Sequence, residues 1–397
     1  MKCGALTIKH HLVGYVHHGI SGATHQGALM IIGVVKDTIP GELRSALVPS
    51  GALRLVKKGC QVMVEAGLGG PSRIADNEYA AAGAVLSSRA DILARADILL
   101  KVRKPLIDEV RAMKNGSIHI SFLDPFNEKD LINGLAQAGI SAVSLEMIPR
   151  TTMAQKMDAL SSQANLAGYA AVVLAAERIN RIFPMMMTPS GTISPARIFV
   201  IGAGVAGLQA IATARRLGAR VDAFDTRPVV KEQVQSLGAK FVEVDLGETG
   251  QTQDGYAKAL TPEQLAKQRA GMAKVCAQSD IIITTAQIFG KKAPVIITRD
   301  MLSGMKPGSV VVDMAVESGG NVEGSVLNAE VDVNGVRVIG PGNLVSRVCV
   351  NASEMFSANL VNFIEHFWNK EKNTFVLNQE DTLIQGCLIT HQGKVLK

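Results

Sequence analysis

Residues 197–225 constrain the fold of this chain more than any other part of its sequence. A run of apolar residues leads into three glycines, Gly202, Gly204 and Gly207. A stretch of small residues follows, and a second apolar run ends at Asp225. The order of strand, glycine turn, helix, strand and acid is typical of a βαβ unit that binds a dinucleotide.

Each part of this pattern has a physical role in such a unit. Gly202 permits the tight turn, Gly204 lets backbone N–H groups approach a pyrophosphate, and Gly207 lets the helix lie close to the strand. The helix N-terminus at Val205 favours the negative charge of the phosphates. Asp225 is placed to accept both hydroxyl groups of an adenosine ribose.

A membrane-spanning helix is the alternative interpretation of the same segment. Residues 198–214 are largely apolar, but they are at the short end for crossing a bilayer. The dinucleotide fingerprint explains their glycines, whereas a membrane helix does not. A second apolar stretch, 167–176, is stopped by Glu177 and Arg178. We therefore expect a soluble chain without direct membrane insertion.

Composition excludes several other classes of protein. The hydrophobic fraction of 47% and the 38 glycines suit an α/β protein, whereas an aromatic fraction of only 4% argues against nucleic-acid binding. The net charge of +6 comes from scattered residues and predicts a mildly basic surface. The five cysteines show no paired spacing, so we expect reduced thiols, mostly buried, and no metal site.

Apolar periodicity predicts two Rossmann-like domains, each a doubly wound parallel sheet, separated by a cleft. The first is expected to comprise residues 30–160 with a returning segment 346–397, and the second, which binds NAD(H), residues 161–345. Residues 1–29 contain five of the eight histidines and no acidic residue, and are expected to form a disordered extension. Strands are predicted at 30–35, 61–65, 98–102, 117–122, 141–144, 198–201, 220–224, 240–244, 281–284, 310–313 and 336–339. Helices are predicted at 50–58, 77–84, 128–138, 159–183 and 353–368.

Three longer segments carry a family resemblance. They are VKDTIPGELRSALVP (35–49), IPRTTMAQKMDALSSQANLAGY (148–169) and AFDTRPVVKEQVQSLGAKF (223–241). With TTAQIFGKKAP and GSVVVDMAVESGGN, they closely resemble the alanine dehydrogenase and transhydrogenase superfamily. Within it, the chain resembles the NAD(H)-binding subunits of proton-translocating transhydrogenases over residues 30–397.

The resemblance implies a set of cofactor-binding residues. Arg150, Gln155, Asp158 and Ser161 match positions around the nicotinamide and its ribose, and it implies that Gln155 and Asp158 are catalytic. The alternative for Gln155, Asp158 and Ser161 is an ordinary helix start, with polar residues as caps. Other matching positions are Asp225, Thr226 and Arg227 at the adenosine ribose, and Gly255, Tyr256, Gln268 and Gln287 near the cofactor.

The resemblance is less direct at a loop and at two substituted positions. Residues 250–256 resemble a mobile loop that closes over the nucleotide, although a plain surface loop has the same composition. Gln287 and Phe289 stand where the family more usually has Leu and Pro. Arg227 alone suggests a 2′-phosphate and therefore NADP, but Asp225 would repel that phosphate, so NAD(H) is the expected cofactor.

The alanine dehydrogenase branch requires acid–base chemistry, for which it uses a lysine and a histidine. Motif matching places Arg103 and Asp124 at those two positions. Arginine is not a useful base near neutral pH, and aspartate cannot replace an imidazole. Lys101 is expected to be a solvated charge or an ion-pair partner, and His119 a satisfied core histidine. Hydride exchange between two nicotinamides needs no base.

A transhydrogenase component is therefore the preferred function. With one fingerprint, the chain requires an NADP(H)-binding subunit and a membrane-spanning subunit as partners. The resemblance also implies a homodimer that is cytoplasmic and peripheral to the inner membrane. The alternatives are an alanine-type or saccharopine-type dehydrogenase with a relocated base, and a non-catalytic NADH-binding module.

Overall fold

The strands collect into two large sheets in the computed structural model, which describes residues 29–247, 249–250, 258 and 260–397. The predicted N-terminal extension therefore lies, apart from Leu29, outside the described residues. The strands are β1 (Ile31–Val34), β2 (Gln61–Glu65), β3 (Val85–Ser87), β4 (Ile98–Leu100), β5 (Ile118–Ser121), β6 (Ser141–Ser144), β7 (Met186–Thr188), β8 (Gly191–Ile193), β9 (Arg197–Ile201), β10 (Arg220–Phe224), β11 (Lys240–Phe241), β12 (Ile281–Thr284), β13 (Val310–Asp313), β14 (Ala329–Val333), β15 (Val336–Gly340), β16 (Trp368–Asn369), β17 (Thr374–Phe375), β18 (Leu388–His391) and β19 (Lys394–Val395).

The helices lie between these strands and cover both sheets. They are α1 (Pro49–Lys57), α2 (Asp76–Ala81), α3 (Arg89–Arg95), α4 (Ile107–Ala112), α5 (Lys129–Gln137), α6 (Ala159–Arg178), α7 (Val205–Arg216), α8 (Lys231–Ser236), α9 (Pro262–Gln278), α10 (Arg299–Ser303), α11 (Cys349–His366) and α12 (Thr382–Cys387). Buried apolar clusters lie on both faces of each sheet. This is the arrangement that parallel sheets require.

Strand order identifies the point in each sheet where a ligand site is expected. The first sheet has the order β19-β18-β6-β5-β4-β1-β2-β3, and the second β11-β10-β9-β12-β13-β15-β14. Pairing is parallel except at β18, β19 and β14. The order reverses between β4 and β1 and between β9 and β12, and crevices form at such switch points. The predicted fold class, two Rossmann-like domains separated by a cleft, is confirmed.

Several predicted elements have the observed bounds, including strands β2, β6, β10, β12 and β13. The helix predicted at 159–183 ends earlier, at Arg178. The proline- and glycine-rich segment after it contains an exposed hairpin, β7–β8. Strands β18 and β19 were not predicted, and they extend the first sheet at the β6 edge.

Helix α6 links the two domains. Its first residue, Ala159, belongs to the core of the first sheet, whereas Ala170 and Leu174 belong to the core of the second. By length and composition it is also the one helix among the described residues that could span a bilayer. However, α6 packs against α7 and α11, which is the environment of a core helix. The segment 198–214 is a strand, a turn and a helix, as the fingerprint predicted.

The cysteines are mostly buried, as expected. Cys60, Cys276 and Cys387 are buried free thiols, whereas Cys349 is half-buried. Burial raises the pKa of each of the three buried thiols to about 12. They are therefore protonated at neutral pH and unsuited to nucleophilic chemistry.

Candidate dinucleotide-binding site

The three fingerprint glycines have three different structural roles. Gly202 follows β9 with φ +94°, a backbone conformation that favours glycine. A Cβ at Gly207 would lie 1.8 Å from the carbonyl oxygen of Gly202, so α7 can approach the turn only without a side chain there. A Cβ at Gly204 would meet no atom nearer than 3.9 Å. The space above Gly204 is therefore open, as a pyrophosphate approaching the backbone requires.

A cavity lies beside this turn, at the carboxyl edge of the second sheet. Its walls come from α6, the β9–α7 turn, the end of β10, α9 and the segment after β12. The predicted site residues that line it are Arg150, Ser161, Gly202, Gly204, Val205, Asp225, Thr226, Arg227, Gln268 and Gln287. Gln155, Asp158 and Gly207 do not line it, and Gly255 and Tyr256 lie outside the described residues.

Asp225 lies at the end of β10 and is almost fully engaged by neighbouring donors. The backbone N–H of Ala203 donates to Oδ2 over 2.7 Å, and the backbone N–H of Arg227 donates to Oδ1 over 2.9 Å. The Arg227 side chain donates from Nε to Oδ1 over 2.9 Å and from Nη2 to Oδ2 over 2.8 Å. These hydrogen bonds raise the pKa of Arg227, so the pair is ionised throughout the physiological range.

Asp158 and Ser161 contact each other at the start of α6. Asp158 is the N-cap residue, and its Oδ1 accepts from the Ser161 backbone N–H over 2.8 Å. The Ser161 hydroxyl donates to Asp158 Oδ2 over 2.6 Å. The capping interpretation therefore describes these two side chains. Gln155 lies exposed one turn earlier, in the 3-10 helix Gln155–Met157.

Gln268 has the one side chain at the cavity that lacks a hydrogen bond it should have. It is 3% exposed, and its Oε1 is buried without a partner among the described residues. A buried unpaired amide oxygen is costly, so it marks a place where a bound molecule would supply a donor. Together with the open space above Gly204, it shows that these residues fit a dinucleotide.

Some lining residues were not singled out from the sequence. Thr285 follows β12, and its hydroxyl donates to the carbonyl oxygen of Gly202 over 2.9 Å, which ties the two strand ends together. Lys258 adds a further positive charge to the lining. The position of Thr285 immediately after a strand adjacent to the fingerprint strand was a usable signal. The apolar lining residues include Leu160, Leu260, Leu265, Ile288 and Ile296.

The two positions where the alanine branch has its acid and base face other groups. Arg103 Nε donates to Glu42 Oε2 over 2.9 Å, and its Nη2 lies 3.7 Å from Glu317 Oε1 in the second domain. Asp124 has a left-handed backbone with φ +53°, and its carboxylate accepts from Asn127. Arg103 thus joins the two domains by an ion pair and is not available as a base.

Lys101 and His119 are buried beneath these positions. Lys101 is 1% exposed and pairs with Glu109 over 2.8 Å, which confirms the ion-pair alternative and excludes a solvated charge. His119 Nε2 lies 2.9 Å from the hydroxyl of Ser121, but its Nδ1 has no partner among the described residues. The expectation of a fully satisfied histidine was therefore wrong, because only one ring nitrogen has a neighbour of suitable geometry. Burial lowers its pKa to about 3, so the ring is neutral.

Glu42 lies in a dense group of donors behind Arg103. Arg44 donates to its carboxylate from Nε over 2.7 Å and from Nη2 over 2.6 Å, and Ser346 donates over 3.3 Å. Burial alone would raise the pKa of Glu42. The hydrogen bonds and positive charge of Arg44, with the charge of Arg103, outweigh burial and lower that pKa from 4.5 to about 2.

This shift predicts a pH-dependent contribution to stability. A lowered folded-state pKa stabilises the fold above pH 4.5, and the stabilisation is lost as pH falls towards 2. We expect Glu42→Gln to lower the free energy of unfolding by about 3 kcal/mol at pH 6, with the difference shrinking below pH 4.5. Urea unfolding from pH 6 to pH 3 measures it, with exposed Glu371→Gln as the control. A pH-independent difference would contradict this account.

Two domain families match the chain and together span nearly all of the described residues. "Alanine dehydrogenase/PNT, N-terminal domain" matches residues 33–167, and "Alanine dehydrogenase/PNT, C-terminal domain" matches residues 171–397. The chain belongs to the alanine dehydrogenase/PNT family. This confirms the resemblance found from the three sequence segments.

Relatives within the alanine dehydrogenase/PNT family divide into two groups. The first portion of the NAD(P) transhydrogenase alpha subunit of Rhodospirillum rubrum, a separate chain, is 44% identical over 92% of this chain and 98% of its own length. The protein of the same name from Rickettsia prowazekii is 42% identical over 92% and 96%. Alanine dehydrogenase of Mycobacterium tuberculosis is 30% identical over 75% of each chain. Identity is thus higher to the transhydrogenase subunits.

Solved structures of the family give the same division. The transhydrogenase from Sinorhizobium meliloti superposes with a TM-score of 0.84 at 46% identity, covering 92% of this chain and 99% of that one. An L-alanine dehydrogenase superposes with a TM-score of 0.76 at 23% identity, covering 92% and 96%, and shows the shared fold. These similarities support an oxidoreductase role as a component of a transhydrogenase, and the family implies nicotinamide nucleotide binding.

Proposed function

We propose that this chain is the NAD(H)-binding component of a proton-translocating transhydrogenase. In this function, hydride passes between NADH on this chain and NADP⁺ on a partner subunit. One observation carries the proposal: the cavity combines a complete dinucleotide fingerprint with neighbours that offer no general base. A site that only transfers hydride needs apposition of two rings and exclusion of water, and it needs no proton acceptor.

The candidate bases on the first domain do not favour the alanine-type alternative. Arg103 keeps its charge because its carboxylate partners raise its pKa further. Lys101 is held in a buried pair with Glu109, and His119 is buried and neutral. Oxidation of an amine to an imine requires a group that accepts a proton near neutral pH. None of these side chains is both exposed to the cleft and suited to that task.

The residues of the cavity provide the contacts that an NAD(H) molecule requires. Backbone N–H groups from Gly204 to Gly207 at the start of α7 would hold the pyrophosphate, and Asp225 would hold the adenosine ribose. Arg150 and Ser161 lie at the wall formed by the start of α6, where the nicotinamide half would bind. A bound dihydronicotinamide supplies the hydride. The apolar lining residues exclude water from that half of the cavity.

Gln155 and Asp158 are proposed to position the nicotinamide ring for transfer. Asp158 fixes the start of α6 through Ser161, which itself lines the cavity. Gln155 lies at the exposed rim beside it. Gly255 and Tyr256 are proposed to lie near the same cofactor. The ring would then face outward, towards a second nucleotide on another chain.

Partners are required because the fingerprint occurs once in the sequence. We propose an NADP(H)-binding subunit as the hydride acceptor and a membrane-spanning subunit that couples transfer to proton movement. The chain would then lie on the cytoplasmic face of the inner membrane without inserting into it. Within the chain, we propose one domain of residues 30–160 with 346–397 and another of 161–345. Strands β18 and β19 in the first sheet support that division.

A homodimer is also part of the proposal, and exposed apolar residues support it. In the β7–β8 hairpin, Met187 is 77% exposed, and Met186 and Ile193 are also exposed. Large exposed apolar groups on one small element are typical of contact surfaces. We expect Met187→Asp to convert the dimer to a monomer, measured by light scattering after size exclusion, with the exposed Val229→Asp as the control. An unchanged mass would remove the hairpin from the interface.

A reconstituted exchange reaction tests the proposed function. The purified chain is mixed with an NADP(H)-binding transhydrogenase component, and reduction of an NAD analogue by NADPH is followed. Alanine plus NAD⁺ with the chain alone is the parallel assay. Exchange with the partner and no reaction with alanine is the expected result. Reduction of NAD⁺ by alanine would establish the dehydrogenase alternative, and NADH binding without exchange would indicate a regulatory module.

A further inference from the structure

The carboxylate of Asp225 has no remaining capacity to accept hydrogen bonds. A carboxylate offers about four lone-pair sites. Here they are taken by the backbone N–H groups of Ala203 and Arg227 and by two N–H groups of the Arg227 guanidinium. Both side chains are well shielded from solvent, at 5% exposure for Asp225 and 13% for Arg227. Water therefore has little access to the pair.

A ribose diol that binds Asp225 needs two acceptor positions. The two backbone donors hold the carboxylate in place beside the glycine turn, whereas the two guanidinium donors come from a flexible side chain. The two hydroxyl groups would therefore replace the two guanidinium N–H groups, one for one. Binding of the adenosine half and the ion pair exclude each other.

The guanidinium of Arg227 is already beside the place where the ribose would bind. Its Nη2 lies 3.9 Å from the position that a Cβ at Gly204 would take, over the open turn. Once displaced from Asp225, it stays next to the ribose 2′ position. A planar guanidinium at that position is suited to bidentate contacts with a phosphate.

We propose that Arg227 determines nucleotide specificity through its ion pair with Asp225. Arg227 competes with the ribose diol for Asp225, and it is at the same time a latent site for a 2′-phosphorylated adenosine that the ion pair keeps inactive. This inference rests on the proposed function, because it assumes that the adenosine half of a dinucleotide binds at this cavity. It extends that function by naming a second ligand class and the residue that excludes it.

Binding of ADP-ribose and 2′-phospho-ADP-ribose tests the proposal without any hydride transfer. Calorimetric titration would use the full chain and the variants Asp225→Asn, Arg227→Gln and the double variant. Asp222→Asn, on the same strand and outside the cavity lining, is the matched control. We expect Asp225→Asn to bind 2′-phospho-ADP-ribose about tenfold or more tightly than the wild type does, because a charge-assisted contact becomes available.

The other variants separate competition from direct contact. The double variant is expected to lose the gain seen in Asp225→Asn, because the guanidinium is absent. Arg227→Gln is expected to bind ADP-ribose at least as tightly as the wild type, because the competitor is removed. This arm remains decisive if Asp225→Asn fails to fold, which its thermal unfolding would reveal.

Failure of the inference differs from failure of the proposed function. If the wild type binds ADP-ribose but Asp225→Asn gains no affinity for the 2′-phosphorylated probe, the latent site is overturned. A tenfold loss of ADP-ribose affinity in Arg227→Gln would overturn the competition. If the wild type binds neither probe, the cavity is not a dinucleotide site, and the proposed function itself fails.

Discussion

Gly207→Ala is expected to destabilise the second domain by about 3 kcal/mol or more and to abolish dinucleotide binding. The added Cβ would lie 1.8 Å from the carbonyl oxygen of Gly202, and backbone atoms cannot rotate away as a side chain can. Helix α7 would have to move away from β9, and its N-terminus would leave the phosphate position. Chemical denaturation and NADH titration by fluorescence measure the two effects.

Gly204→Ala is the informative contrast on the same turn. The space around a Cβ at Gly204 is open, and its backbone, with φ −77° and ψ −166°, is accessible to alanine. We expect a change in stability within about 1 kcal/mol and a loss of NADH affinity of about tenfold to a hundredfold, because the methyl group occupies the pyrophosphate position. Exposed Gly70→Ala, also in open space and in the first domain, is the control.

The pair of glycine variants separates folding from binding. If Gly204→Ala left NADH affinity unchanged, the turn would not hold a pyrophosphate, and the site would have to lie elsewhere. If Gly207→Ala folded with wild-type stability, the close approach of α7 to the turn would be wrong. Either result would contradict a different part of the site.

Hydride transfer is expected to fall about a hundredfold in Gln155→Ala, with NADH affinity changed by less than about threefold. Gln155 is exposed at the rim and does not line the cavity, so its removal disturbs neither the fold nor the adenosine half. Its proposed role is to orient the ring, and small misplacements of a reacting ring have large effects on rate. Stopped-flow transfer with the NADP(H)-binding component and equilibrium titration measure the two quantities.

Asp158→Asn extends the same test to the start of α6. Asparagine also caps helices, and its Oδ1 can still accept from the Ser161 backbone N–H, so the helix should keep its first turn. We expect slower hydride transfer with near-normal NADH affinity. Asp381→Asn is the matched control, because Asp381 caps α12 in the same way and does not line the cavity. Equal losses of rate and affinity would indicate that Asp158 acts only through the cap.

Strand positions followed from the sequence because their signal is local. The apolar runs of β9, β10 and β12 are short, are bounded by turn residues and are buried in a parallel sheet. Strands β18 and β19 gave a weaker signal. They are short and lie at a sheet edge, and β18 is held there by pairing with β6, more than two hundred residues earlier in the chain.

The side chains of the site divide in the same way. The glycine turn and Asp225 belong to one βαβ unit, so their spacing in the sequence fixes their spacing in space. Gln268 reaches the cavity from α9, and the Arg103–Glu317 pair joins two domains. The capping of α6 by Asp158 was foreseen as an alternative, whereas the unpaired Nδ1 of His119 was not.

The sequence by itself determined the fingerprint unit, the alternation of strands and helices, the family and the residues that a dinucleotide would contact. These depend on periodicity and on spacing within a few tens of residues. Only the tertiary structure decided that the Asp225 carboxylate is saturated by Arg227, that Gln268 is buried without a donor and that α6 passes from one core to the other. Those facts depend on which surfaces pack together and on which donors reach each acceptor, and neither is encoded by local pattern.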